Sequence, residues 1–162
     1  MALIPAREPG QNVSVGRVAR KDGTEHIFWF ERFLGKVRED PKIQENLEMA
    51  WMTGALLTIG DALSRNDYFD KAPELELLRH LRNAVAHGNR FHITDAKRLG
   101  NNPAHNKLAW VRSDLDATFE VIPALHGQPA LFSFMGPGDI LDLMMSVGLY
   151  LIRMGNGDPL RK

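Results

Sequence analysis

The chain has 162 residues, enough for one domain with a real core and few for two. Hydrophobic and charged fractions of 44% and 25% belong to a folded globular protein and exclude a disordered tail or a membrane protein. Twenty Lys and Arg balance twenty Asp and Glu, so no global positive field gathers nucleic acid, and any contact with it must be local.

Taken in chain order, residues 1–23 read as an irregular N-terminal segment with scattered Gly and Pro, in which Val13 to Val18 alternates weakly enough for one short edge strand. The opening residues lack a long apolar run behind a basic start, so no signal peptide is expected and the cytoplasm is the expected compartment. From Thr24 to Glu39 the residues Ile27, Phe28, Phe30, Phe33, Leu34 and Val37 recur at helical spacing, which predicts a first helix ending at Asp40-Pro41. Pro41 then suits the first position of a long second helix capped by Asp40 and running to about Ser64. Asn66 to Asp70 is turn chemistry, and Pro73 opens a third helix that ends near His87-Gly88.

Beyond Gly88 the helical period is lost. His92 to Lys107 reads as an ordered loop, and Leu108–Arg112, Ala117–Ile122 and Ala130–Phe134 predict a small antiparallel meander. A final helix is expected from Gly138 or Asp139 to Met154, with Gly155 beyond it. Its greasiest stretch, Ile140 to Ile152, is thirteen residues long and contains Asp142, too short and too polar to span a bilayer. The expected architecture is one mainly α domain over residues 1–162, an antiparallel helical bundle with a β insertion at 92–136 before its last helix.

On a wheel of the third helix, Leu77, Leu78, Leu81, Ala84 and Val85 share one side, while Glu76, Arg79, His80, Asn83 and His87 share the other. Asn83 and His87 lie about 40° apart and can meet over one turn, whereas Arg82 sits about 140° from His87 on an ideal helix. The segment Leu81 to Gly88, with Arg82, Asn83 and His87, resembles the HEPN superfamily motif: an arginine, usually a polar residue next, and a histidine after four to six positions. The spacing alone is common. Thirteen Arg and six His would supply about 1.4 such pairs by chance, and Arg20 to His26 and Arg98 to His105 also fit. Requiring Asn beside the Arg lowers that to about 0.1, and only Arg82 meets it at a helix end.

The resemblance implies a helical bundle, a homodimer and a metal-independent ribonuclease of the toxin or phage-defence kind. RNA is cut without metal when its 2′-hydroxyl attacks the adjacent phosphate while one group removes a proton, another donates one and a third stabilises charge. Histidine suits the proton steps and arginine the charge. Arg82, Asn83 and His87 are therefore the expected catalytic residues, and Arg79, His80 and Arg90 the expected RNA contacts. One motif per chain makes a two-fold dimer an economical way to bring two histidines together. Expected partners are RNA, a second copy and an antitoxin protein, with neither DNA nor membrane. The tyrosine that some family toxins carry after the histidine, as the target of a modifying partner, has no counterpart in Gly88 to Phe91.

Plainer readings stand beside this one. His87 alone suits a solvated histidine favoured by a helix C-terminus, and Arg82 suits a salt bridge between helices. Glu76, His80 and His87 share a helix face with metal-ligand spacing, but the second helix offers Glu45, Glu48 and Asp61 and no histidine, so neither metal nor cofactor is expected. A catalytically silent HEPN dimer that binds RNA, nucleotide or a protein is the alternative function.

Overall fold

The computed structural model describes residues 15–69, 72–107 and 118–158. It is mainly helical, with a two-stranded antiparallel sheet, and divides into two compact units between Leu47 and Glu48.

The first unit begins with a hairpin. Strands β1 (Val15–Ala19) and β2 (Glu25–Trp29) pair from Val15 opposite Trp29 to Ala19 opposite Glu25. The reversal is local chemistry: the Asp22 carboxylate accepts from the backbone N–H and the hydroxyl of Thr24, and Gly23 takes a φ of 82°. The expected helix from Thr24 is thus two elements, β2 and then α1 (Phe30–Glu39). The spacing of Ile27, Phe28 and Phe30 fits a helix, but Glu25–Trp29 is rich in β-branched and aromatic residues and has β1 as its partner, and pairing overrides the period. The start of the expected Val13 to Val18 strand lies outside the described residues.

Helix α2 (Pro41–Arg65) has Pro41 as its first residue, and the Asp40 carboxylate accepts from the Lys42 N–H at 2.9 Å, the expected cap. Within the second unit its buried positions are Met52, Leu56, Gly60 and Leu63, one helical stripe. Helix α3 (Pro73–Ala86) is the centre of this unit and packs on the last helix, α5 (Pro137–Asn156). Leu75, Leu77, Leu78, Leu81 and Ala84 of α3 meet Ile140, Leu143, Val147 and Tyr150 of α5 in one core with Phe91, Val121, Ala130 and Met135. The side of α3 that carries Glu76, Arg79, His80, Asn83 and His87 is a solvent face only at its end: Glu76 is buried, Arg79, His80 and Asn83 are half-buried, and His87 is exposed. Arg79 donates through Nε and Nη2 to Glu76, so the carboxylate carries its counter-ion inside.

Helix α5 starts where Asp139 accepts from the Gly136 N–H, and it ends at Gly157, two residues later than the expected Gly155, with a φ of 71°. Between α3 and α5 the expected meander is not what the described residues form. Leu108–Arg112 lies outside them, as does Ala117. Residues 118–122 meet 104–106 through a single antiparallel bridge, His105 to Glu120, beside the short helix α4 (Ala96–Asn101). Ala130–Phe134 is a tight turn rather than a strand: Phe134 and Met135 donate back to the Ala130 carbonyl, and Phe132 has a φ of 66°. Its aromatic residues serve packing, with Phe134 edge-on to both Phe91 and Phe119. No helix among the described residues is long and apolar enough to cross a membrane.

Candidate functional site

The end of α3 carries the residues that the motif singles out. Arg82 projects toward α2, where Nε and Nη2 both donate to Oδ1 of Asp61, Nε at 2.9 Å, and Nη1 donates to Oδ1 of Asn83 at 3.1 Å. These bonds use three of the five guanidinium N–H donors. The approach is close because Gly60 faces the stem: a Cβ there would lie 2.6 Å from Cγ of Arg82. Asp61 also lines a shallow depression with Ser64 and Arg65. The salt-bridge reading of Arg82 is therefore realised, and it is the same contact that fixes the guanidinium beside Asn83.

His87 is the residue on which the helix stops. Its backbone N–H is shared between the Asn83 and Ala84 carbonyls, its φ and ψ of −112° and 40° leave the helix, and its side chain is exposed. Gly88 and Asn89 follow with φ of 75° and 62°, turning the chain back on itself. Asn89 secures the reversal, since its side-chain amide donates to the Leu131 carbonyl and accepts from the Leu131 N–H at 2.7 Å. Residues 90–91 then run along 127–129: Phe91 donates to the Gln128 carbonyl and Gly127 donates to the Phe91 carbonyl. Buried Phe91 anchors this pairing.

That turn sets a row of imidazoles on the surface. The ring of His92 lies 6.3 Å from that of His87 and 5.6 Å from that of His126, centroid to centroid. All three side chains are exposed. Nδ1 of His126 accepts from the Ile93 N–H at 3.1 Å, which leaves the proton of the neutral ring on Nε2. Arg90 is in the same turn, donating to the Gly127 carbonyl at 2.7 Å. His92 and His126 are invisible to the motif because one lies in a polar loop and the other 39 residues beyond His87 in sequence; only the 90–91 and 127–129 pairing brings them together.

The other expected residues separate from this row. Arg79 is committed to Glu76, and His80 is half-buried. Burial, aided by the Arg79 and Arg98 charges and opposed by Glu76, lowers the His80 pKa to about 4, so its ring is neutral at pH 7. Glu76, His80 and His87 do not form a ligand set: among the described residues no group of three or more His, Asp or Glu is arranged to hold a metal ion. The rival arginine-histidine pairs also lie elsewhere. Arg20 touches His26 on the exposed hairpin at 3.4 Å, and Arg98 is on α4 with His105 on the Glu120 bridge. No protein-family model, curated protein or solved structure matches the chain.

Proposed function

We propose that the chain is a metal-independent endoribonuclease of the toxin or phage-defence kind, a HEPN-like bundle that works as a homodimer with two Arg82–His87 half-sites in one cleft. One observation carries this reading: a guanidinium fixed by Asp61 and Asn83 lies on the same helix, five residues before an exposed histidine on which that helix ends. A fixed cation suits the phosphate whose charge grows in the transition state, and an exposed imidazole suits proton transfer to an RNA that arrives from solvent. Arg82 keeps two N–H donors beyond its bonds to Asp61 and Asn83, enough for one phosphate oxygen. The turn between His87 and His92 also carries Arg90, whose guanidinium bonds the Gly127 carbonyl.

A homodimer is supported by an apolar stripe on α5. Leu141, Met145, Leu149 and Ile152 recur on one helix face, and Met145 and Ile152 are 58% and 59% exposed. An uncharged stripe is self-complementary, as a two-fold interface requires. The Asp61 contact favours a second reading, a silent module that binds RNA: a carboxylate on Arg82 offsets charge that the transition state would use.

The two readings part on His87→Ala. The enzyme loses two to four orders of magnitude in RNA cleavage, about what general acid-base catalysis contributes, with folding and RNA affinity intact. Arg82→Ala lowers both binding and cleavage, and Asn83→Ala is milder than either. A wild-type protein that binds RNA but shows no cleavage abolished by His87→Ala is the silent module.

A further inference from the structure

We infer that His92 is the proton partner of His87, so that each chain holds both the acid and the base for RNA cleavage, with His126 positioning the pair. This rests on the ribonuclease reading but puts both proton-transfer groups inside each chain instead of sharing them between two: the motif supplies one histidine per chain, whereas the folded chain places three exposed imidazoles in a row.

The row is built into the fold. His87 closes α3, Gly88 and Asn89 reverse the chain with positive φ, Asn89 clamps Leu131 on both backbone groups, and buried Phe91 pins the strand-like stretch that carries His92. Ile93, the residue after His92, donates its N–H to His126, so backbone and ring hold each other in place. Rings centred 6.3 Å apart and inclined at 44° are spaced for each to reach a different oxygen of one phosphodiester over a hydrogen bond of about 3 Å.

The step balances without a co-reactant. One neutral imidazole removes the 2′-hydroxyl proton, O2′ bonds to phosphorus, and the bond from phosphorus to O5′ breaks. The second ring, protonated, gives its proton to O5′. The products are a 2′,3′-cyclic phosphate and a 5′-hydroxyl. Arg90, whose guanidinium bonds the Gly127 carbonyl beside His126, is the charged group that flanks the row.

The test uses the whole protein and a short single-stranded RNA carrying a fluorophore and a quencher, with kcat and KM followed from pH 5 to 9. His92→Gln lowers kcat at least 100-fold with KM nearly unchanged and removes one limb of a two-limbed pH profile. His92→Asn, a second exposed substitution, does the same. His126→Ala lowers kcat about tenfold, and His126→Asn, whose side-chain oxygen still accepts from Ile93, restores it. If His87→Ala abolishes cleavage while His92→Gln retains the wild-type rate and both limbs, the inference fails and the ribonuclease reading stands. If the wild-type protein does not cleave RNA, both fail. Restoration of either histidine variant by added Zn²⁺, or loss of wild-type cleavage in excess chelator, overturns the proton-transfer role in favour of a metal on the row.

Discussion

Gly60 allows a test of whether α2 and α3 meet as closely at Arg82 as the structure has them. An added Cβ would lie 2.6 Å from Cγ and 3.0 Å from Cβ of Arg82, about 1 Å inside ordinary carbon contact. The near atoms belong to the base of the side chain rather than its flexible end, so the helices or the guanidinium must move. Such over-packing costs about 1–3 kcal/mol. Gly60→Ala also gains about 1 kcal/mol of helix propensity, which obscures the single measurement. Gly54, six residues earlier in α2, removes the ambiguity, because a Cβ there meets nothing within 4 Å. The propensity term cancels between Gly60→Ala and Gly54→Ala, and the difference is the clash alone, about 1–3 kcal/mol. In a chain of this size that is roughly 2–4 °C in Tm per kcal/mol. Urea or thermal unfolding of the two variants reads it, with Gly54→Ala at or above wild type and Gly60→Ala below Gly54→Ala. Equal stabilisation by both substitutions refutes the close approach, and with it the placement of Arg82 against Asp61.

Asp61→Asn should change stability by no more than about 1 kcal/mol, since the ion pair is half exposed, yet lower cleavage about 10-fold to 100-fold by releasing the guanidinium; parallel denaturation and rate measurements check this. His80 gives a pH dependence. The unfolded ring takes up its proton as pH falls through 6.5 and the folded ring only near 4, so the folded state loses stability across that window. The linkage limit is about 3 kcal/mol and the partial exposure of the residue reduces it to about 1–2 kcal/mol; the urea midpoint of His80→Gln should fall correspondingly less than that of wild type between pH 7 and 4.5. Met145→Glu, which puts charge in the α5 stripe, should convert a dimer of about 36 kDa, twice the 18.2 kDa chain, to monomer in light scattering at micromolar concentration.

The helices that are long and punctuated were legible in the amino-acid order. Asp40-Pro41 capped α2, Pro73 opened α3, and His87-Gly88 closed it, because capping and backbone freedom are local properties. Segment 24–29 was not legible as a strand, because helical spacing and β propensity competed there and β1 decided the outcome. The aromatic residues of 130–134 suggested a strand for a related reason: their burial comes from side-chain packing on Phe91, which a period-2 pattern does not distinguish from a sheet. At the candidate site, the motif singled out Arg82, Asn83 and His87, but the wheel put Glu76 on the side opposite the apolar residues, and only the packing of α3 at the centre of its unit reveals it as buried. Asp61, His92 and His126 depend on contacts across 21, 5 and 34 positions, the first from α2 to α3 and the others through the 88–92 reversal and its pairing with 126–131.

The chemical ends that the wild-type protein leaves on a defined RNA in excess chelator, with His87→Ala alongside, distinguish metal-independent cleavage from its alternatives. Metal-independent attack by the 2′-hydroxyl predicts a 2′,3′-cyclic phosphate and a 5′-hydroxyl at the cut, formed at the same rate with or without chelator and reduced about 100-fold or more by the substitution. Ends that carry a 3′-hydroxyl and a 5′-phosphate, or cleavage that His87→Ala leaves unchanged, contradict it.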